Sequence, residues 1–526
     1  MAVLRLERRD ALTIVAFALG VGLLSIVTPA AIEALVNTVA FGVLLWPVVV
    51  LALVMLAFLV FTSLLRALQF FVAECLQRRL FVRTAAEFAE RFSRAEIGSF
   101  DRRNPTDIVN RFFEVATVQK SLATLLVDGV SIVMTAVVGL VVLAFYHPYL
   151  LTFALVMVAM IAFLLGVLGM GGVRTSIAES YAKFDMAAWL EEIAKCPHTF
   201  RFGEGGALAL QRTDELSAIY VAARKKHFRV LWRQTLFALL LEAVASTILL
   251  GLGGWLVINR QLNLGQLVAG EIMLTLVLSA LSKFGKYIET FYDLQASLDK
   301  LGVIGELFLE PAGGERLPAA EGPMAVKAEI RSRDGAVHRL DVRPGERIAV
   351  VGPSGGGKSF LLETLALLRV PEEGLLEFDS IDARSLDRAQ ARLQLAYVAQ
   401  AETFAGTVAE NIRVGRESLS AADVRRALEM VGLAERVARL PQGTATPLAS
   451  DGLPLSTNEL SRLSIARAIA GRPRLLLIDG LLDGLDMRDC PELVDVLFDR
   501  SAPWTLVIVT ARDEIMKRCD KTVTWS

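Results

Sequence analysis

Histidine and cysteine are scarce, four of each in 526 residues. Cys75, Cys196, Cys490 and Cys519 show no disulfide or metal-ligand spacing, and His147, His198, His227 and His338 form no cluster. The sequence therefore offers no metal centre, and its thiols read as small buried groups in a reducing compartment. An excess of one charge is missing too. Lys+Arg 55 against Asp+Glu 56 gives a formal net charge of -1, which argues against a nucleic-acid binder. Charged residues reach only 21% against 54% hydrophobic, with mean hydropathy +0.50. Disorder is excluded by that balance. The average is also too apolar for an ordinary soluble chain, so part of the sequence must meet lipid.

The apolar excess lies before about residue 290, in runs longer than the roughly 20 residues one spanning helix needs. Ala11–Ala30 and Ala34–Leu65 carry no charge but Glu33 between them. Gly129–Val173 is uncharged and about two spans long, with a natural turn at Tyr146-His147-Pro148-Tyr149. Gln234–Asn259 and Gln261–Ser282 flank Arg260, which brings the predicted count to six helices. Lys and Arg crowd the N-terminus and the segments after the second and fourth spans, so both termini are predicted to be cytoplasmic. Leu76–Arg94 keeps helical periodicity with charged positions and is expected to continue its helix beyond the bilayer. Glu33, Glu242 and Glu271 are costly in lipid. Two readings stand for them, a polar lining between helices or helix-to-helix hydrogen bonding.

The Pro/Gly/Ala stretch near 309–322 divides the chain into a membrane domain over 1–308, a linker, and an α/β domain over 323–526. There the strand Ile348–Val351 runs into Gly352-Pro353-Ser354-Gly355-Gly356-Gly357-Lys358-Ser359 and then a helix predicted over Phe360–Leu368. This is a G-x-x-x-x-G-K-S phosphate loop in strand–loop–helix context. Its glycines let backbone N–H groups approach the phosphates of ATP, and the helix N-terminus adds a favourable dipole. Lys358 is placed to reach the outer phosphates and Ser359 to ligate Mg²⁺. Phe360 closes the ATP-binding set. A second buried strand, Leu475–Asp479, ends in an acid suited to hold Mg²⁺ through water.

Six spans with long cytoplasmic extensions, followed by one such domain, resemble a half-size ABC exporter over nearly the whole chain. Tyr397-Val398-Ala399-Gln400 resembles the Q-loop, which implies that Gln400 senses Mg²⁺ and the γ-phosphate. Gly406–Ile412 and Leu463–Ala468 are similar to the stretches after the Q-loop and after the signature motif. Phe100-Asp101 through Arg111 looks like the approach to the first coupling helix, and Asp185–Ala194 like the second. The fold implied is a six-helix α-helical transmembrane domain followed by an α/β P-loop NTPase. The setting implied is a bacterial inner (plasma) membrane, with lipid around the spans.

The sequence departs from the family pattern where hydrolysis is concerned. The signature L-S-G-G-Q falls on Leu455-Ser456-Thr457-Asn458-Glu459, so Ser456 survives without the glycines, and Glu459 puts negative charge near an anionic ligand. Gly480 stands where the family has its water-polarising glutamate, and Ala511 where it has a histidine. The adenine-stacking aromatic is expected near Ser332-Arg333-Asp334, where there is none; the D-loop survives loosely as Asp483-Gly484-Leu485-Asp486. The resemblance implies a homodimer, or a heterodimer with another half-transporter. Because each nucleotide in such dimers lies between one chain's phosphate loop and the other's signature, this chain alone is expected to hydrolyse ATP poorly. The substituted motifs also leave open a membrane scaffold or sensor gated by ATP. The transported substrate is not legible.

Overall fold

The structure is a computed structural model describing residues 8–40, 45–101, 104–331, 337–369, 374–486 and 491–525. The expected adenine contact at 332–334 lies outside the described residues. The chain divides into two units, one of residues 1–94 and 102–307, the other of 95–101 and 308–526.

The first unit is helical. Its elements are α1 (Arg8–Leu24), α2 (Val27–Ala40), α3 (Leu45–Arg94), α4 (Pro105–Arg111), α5 (Glu114–Thr124), α6 (Val130–Tyr146), α7 (Pro148–Gly166), α8 (Gly172–Lys195), α9 (Gly205–Ile258) and α10 (Leu264–Gly302). Among the described residues five stretches are long and apolar enough to cross a membrane, and the sixth expected span corresponds to the shorter apolar run Leu264–Ser279 that opens α10. As expected, α3 carries on to Arg94, where Glu87–Arg91 and Glu90–Arg94 pair one turn apart. The turn between α6 and α7 falls at His147, whose backbone is extended (φ -162°) and whose ring accepts the N–H of Tyr149. Pro148 then occupies the first helical position, where it needs no donor.

One expectation needs correcting. Asp185–Ala194 is no separate coupling helix but the last part of α8, which runs unbroken to Lys195. Ala, Met, Leu, Trp and Glu there are compatible with continued helix, and the chain turns only beyond Cys196, through the 3₁₀ turn Thr199–Arg201. Glu33 makes a helix-to-helix hydrogen bond, the Tyr146 hydroxyl donating to it at 2.7 Å. Glu271 differs: its Oε2 is buried with no hydrogen-bond partner.

The second unit is α/β. Strands β1 (Val326–Arg331), β2 (Val337–Val342), β4 (Gly374–Phe378) and β5 (Ile381–Asp382) form an antiparallel sheet in the order β2-β1-β4-β5. Strands β3 (Arg347–Val351), β6 (Leu395–Val398), β9 (Leu475–Asp479), β10 (Thr505–Val509) and β11 (Lys521–Thr524) form a parallel sheet in the order β11-β3-β10-β9-β6. The two short strands β7 (Gly406–Thr407) and β8 (Pro447–Leu448) pair with each other alone. The central strands of the parallel sheet are apolar at nearly every position because both faces are covered; Leu475 through Ile478 and Leu506 through Ile508 are fully buried. Truncating one such leucine to alanine costs about 2–5 kcal/mol. Parallel pairing also brings the carboxyl ends of all five strands to one edge, where ligands of open α/β sheets bind.

Candidate functional site

Every candidate site residue but Ser456 lies at or just beyond one of those strand ends. Gly352 leaves β3 with φ 157°, and a Cβ there would run into the carbonyl oxygen of Trp525. Gly357, in the left-handed region at φ 82°, turns the chain into helix α11 (Lys358–Leu365). The helix begins two residues earlier than predicted, so the phosphate loop and the helix are continuous. No side chain caps its N-terminus, which leaves backbone donors open for an anion. Lys358 Nζ folds back over the loop, donating to the carbonyls of Gly352 at 2.9 Å and Pro353 at 2.7 Å. Ser359 is exposed, and Phe360 packs on the core beneath.

Asp479 ends β9, and the Tyr397 hydroxyl donates to its Oδ2 at 3.5 Å. Burial, then the neighbouring Asp479 carboxylate, pushes the Tyr397 phenol up. Gln400, two residues past β6, is exposed and donates to Glu402 Oε1 at 3.2 Å. Topology thus brings the phosphate loop, Asp479 and Gln400 to the same sheet edge. A serine hydroxyl, an amide and a carboxylate are hard oxygen donors of the kind Mg²⁺ takes together with phosphate oxygens. Among the described residues no cluster of three His, Cys, Asp or Glu could hold a metal without such help.

The positions of the missing groups have their own geometry. Gly480 lies in the left-handed region at φ 69°, with its N–H on the Val509 carbonyl at 3.0 Å and open space where a Cβ would be. Ala511 donates its N–H to Asp483 Oδ2 at 2.9 Å, and Thr510 donates its hydroxyl to the same carboxylate. The Arg512 guanidinium donates to the carbonyls of Asp483 at 2.7 Å and Leu485 at 2.8 Å. The loop after β9 is therefore tied to the loop after β10 by Asp483 and Arg512.

Ser456 caps helix α12 (Thr457–Ala470) and follows no strand of the parallel sheet directly. Here the end is closed by a reciprocal cap: Ser456 N–H donates to Glu459 Oε2 at 2.8 Å, and Glu459 N–H donates to Ser456 Oγ at 3.3 Å. Arg436 donates to Glu459 Oε1 at 2.8 Å and to the Pro454 carbonyl at 3.3 Å. Burial alone would raise the Glu459 carboxyl, but the Ser456 donors and Arg436 outweigh it and hold it below its ordinary value. The negative charge expected to disturb the signature is thus neutralised from within the chain.

Three contributors escape sequence reasoning. Trp525 lies against the phosphate loop, its Nε1 3.6 Å from where a Gly357 Cβ would stand. His338 stacks on the Trp525 indole at 4.3 Å between centroids. Arg436 comes from a different helix than the signature. No local pattern marks any of them; each is brought in by sheet or helix packing.

A phosphate loop at the carboxyl edge of a parallel sheet, in a chain that also carries membrane helices, defines a membrane-bound P-loop nucleotide-binding protein. Residues 11–281 match the ABC transporter transmembrane region, and residues 337–481 match the ABC transporter family proper. The chain belongs to the ABC transporter family, with both halves in one polypeptide as in a half-size exporter, and is an integral membrane protein with an ATP-binding domain. Among relatives, it is 27% identical over 371 residues to the mycobactin import ATP-binding/permease protein IrtB of Mycolicibacterium thermoresistibile, covering 69% of this chain but only 64% of that protein. It is 25% identical over 511 residues to the cyclolysin secretion/processing ATP-binding protein CyaB of Bordetella pertussis, covering 95% of this chain and 71% of that one. A bacterial Atm1-family ABC exporter with ATP bound shares the fold at a TM-score of 0.85, with 20% identity over 99% of this chain and 94% of that one.

Proposed function

We propose that the chain is the ATP-binding subunit of a dimeric exporter in a bacterial inner membrane, with both termini cytoplasmic and with impaired hydrolysis of its own. In this reading residues 1–308 form the exporter's transmembrane domain, 309–322 the linker and 323–526 the nucleotide-binding domain. Gly352 through Phe360 hold ATP, Lys358 meets the outer phosphates, and Ser359, Gln400 and Asp479 hold Mg²⁺ against them. The observation that carries the reading is the contrast at one sheet edge: an open, uncapped phosphate-loop helix beside a left-handed Gly480 where a general base would have to stand. Losing such a base is worth about 10²–10⁴ in rate. In a homodimer both nucleotide sites lack base, histidine and a normal signature. In a heterodimer with a better-equipped partner chain, the partner's signature faces this chain's phosphate loop. The partner's own base and histidine serve the other site, which faces the altered signature of this chain.

The test is ATP turnover by the full chain purified into lipid nanodiscs, alone and with each membrane protein that copurifies with it. Binding of ATP that depends on Lys358, with turnover that appears only alongside a partner, is the expected result. Fast Lys358-dependent turnover by the chain alone would overturn it. The closed end of α12 favours a second reading, a scaffold or sensor assembled by ATP that moves nothing. Flux of substrate in proteoliposomes with the partner present separates the two.

A further inference from the structure

Two interruptions of helix geometry in the membrane unit border the same cavity of about 590 Å³. One is the π turn Leu125–Gly129 between α5 and α6. The other is the break between α7 and α8, where Gly171 takes φ 85° and the regular bonding gives way after Val167: Leu168 N–H reaches back five residues to Phe163 O, and Met170 N–H only three, to Val167 O. Irregular backbone at membrane depth persists only where it is buried in protein or lines a cavity, and π turns and broken helices gather at ligand sites.

The break is held open by side chains from two other helices. Arg233 donates to the carbonyls of Leu168 at 2.7 Å and Met170 at 2.8 Å. The Tyr292 hydroxyl donates to Gly169 O at 3.3 Å and accepts from Gln234 Nε2 at 3.4 Å. The Tyr292 ring fills the space that a side chain at Gly172 would need, and the edge of His227 packs on it at 5.7 Å. Behind this wall Gln234 Oε1 and His227 Nε2 are buried without partners, although both residues are at least nine-tenths buried.

The lining is apolar and aromatic, with Ile132, Val133, Ile288 and Phe291 beside Tyr287 and Tyr292, and among the described residues no charged side chain takes part. Asp128 stands on the same π turn, exposed. The Tyr287 hydroxyl makes no hydrogen bond among the described residues, so one polar group faces the cavity unspent. An anionic guest would be stripped of water with no cationic partner and with the Asp128 carboxylate near Tyr287, at a cost of several kcal/mol or more. The volume falls within the roughly 300–1,000 Å³ of small-molecule sites.

The geometry points to this cavity as the cargo subsite of the exporter, taking a neutral, largely apolar molecule with an aromatic ring and one hydrogen-bonding group met by Tyr287. The assignment rests on the export reading, and it excludes anionic peptides as guests of this subsite. The cavity lies at the ends of α6 and α7 remote from the His147 turn, which is the cytoplasmic side in the proposed orientation.

The test uses benzophenone, a neutral aromatic ketone, as photoprobe on the full chain in nanodiscs without ATP, with mass-spectrometric mapping of the adducts. Saturable labelling concentrated on 125–134, 165–173 and 287–292 is expected. Val133→Trp, which fills the cavity, should lower it at least about 10-fold. The milder Tyr287→Phe should lower it about 2–10-fold, the worth of one hydrogen bond. Labelling spread evenly over the apolar helices, or unmoved by both variants, overturns the assignment. So does stronger displacement by the cation tetraphenylphosphonium than by unreactive neutral diphenylmethanol, or equal saturable labelling by a diazirine phospholipid. Substrate flux without benzophenone binding would remove the subsite and keep export, whereas binding without any flux in partner-containing proteoliposomes would remove export.

Discussion

The nucleotide unit contains two helix N-termini proposed to face phosphate, and they are finished in opposite ways. α11 begins after a left-handed glycine with no side-chain cap, and its lysine waits on carbonyls of its own loop. α12 begins with Ser456 and Glu459 capping each other, and Arg436 neutralises the carboxylate. An uncapped helix end leaves donors unsatisfied until an anion arrives, whereas a capped end has satisfied them internally. The first end is built for an outside ligand. The second has its donors already taken by Ser456 and Glu459, so a γ-phosphate arriving there would find them occupied and would meet two side chains, Thr457 and Asn458, instead of bare glycine backbone.

The contrast can be broken at the open end first. Gly352→Ala puts a Cβ into the Trp525 carbonyl and should cost about 2–3 kcal/mol or more, read as a lower unfolding midpoint of the nucleotide unit together with lost nucleotide binding. Lys358→Ala should leave the fold alone and weaken binding of a fluorescent ATP analogue on the order of 10–100-fold, as the loss of a charge-assisted hydrogen bond implies. Binding within about twofold of the parent would show that the open end does not hold phosphate through its lysine.

At the closed end, Ser456→Ala removes the cap and should cost about 1 kcal/mol in thermal or denaturant unfolding. The same end carries a pH signature. Glu459 is held below its ordinary value of 4.5, so its stabilising contribution is fully present above that pH and is lost as pH falls through the lower folded value. Glu459→Gln should remove this part of the acid sensitivity of unfolding; an unchanged acid limb would mean that the carboxylate is not held as described.

The smallest effect is expected from repair of the chemistry alone. Gly480→Glu with Ala511→His places both missing groups, yet the glutamate must enter a left-handed backbone at a cost of roughly 1–2 kcal/mol, and α12 stays closed. Hydrolysis by the doubly substituted chain should rise less than about 10-fold, well short of the 10²–10⁴ a positioned base is worth. A gain on the order of 100-fold would show that the closed end is no obstacle, and the comparison would fail.

Much of the molecule is legible in the order of its residues, for identifiable physical reasons. The spans, the His147 turn, the helical extension to Arg94 and the buried strands at Ile348 and Leu475 are written in local composition and periodicity. The phosphate loop is legible because its residues are contiguous. A separate coupling helix at Asp185–Ala194 does not form because helix-forming residues continue past the expected stop, and nothing local announces the turn beyond Cys196. Glu459 reads as a liability until Arg436 is placed beside it, since the two are distant along the chain and only helix packing brings them together.

Neighbours along the chain therefore decide which segments meet lipid, where phosphate binds, and which reacting groups are missing at 480 and 511. Whether those absences have consequences is decided by packing. Packing sets Gly480 in a left-handed conformation, ties Asp483 to the following loop and closes α12 with a remote arginine. It also opens a cavity where two broken helices and Tyr292 meet. A polar group is satisfied or stranded according to which surfaces come together, and its partners lie in no single window of the chain.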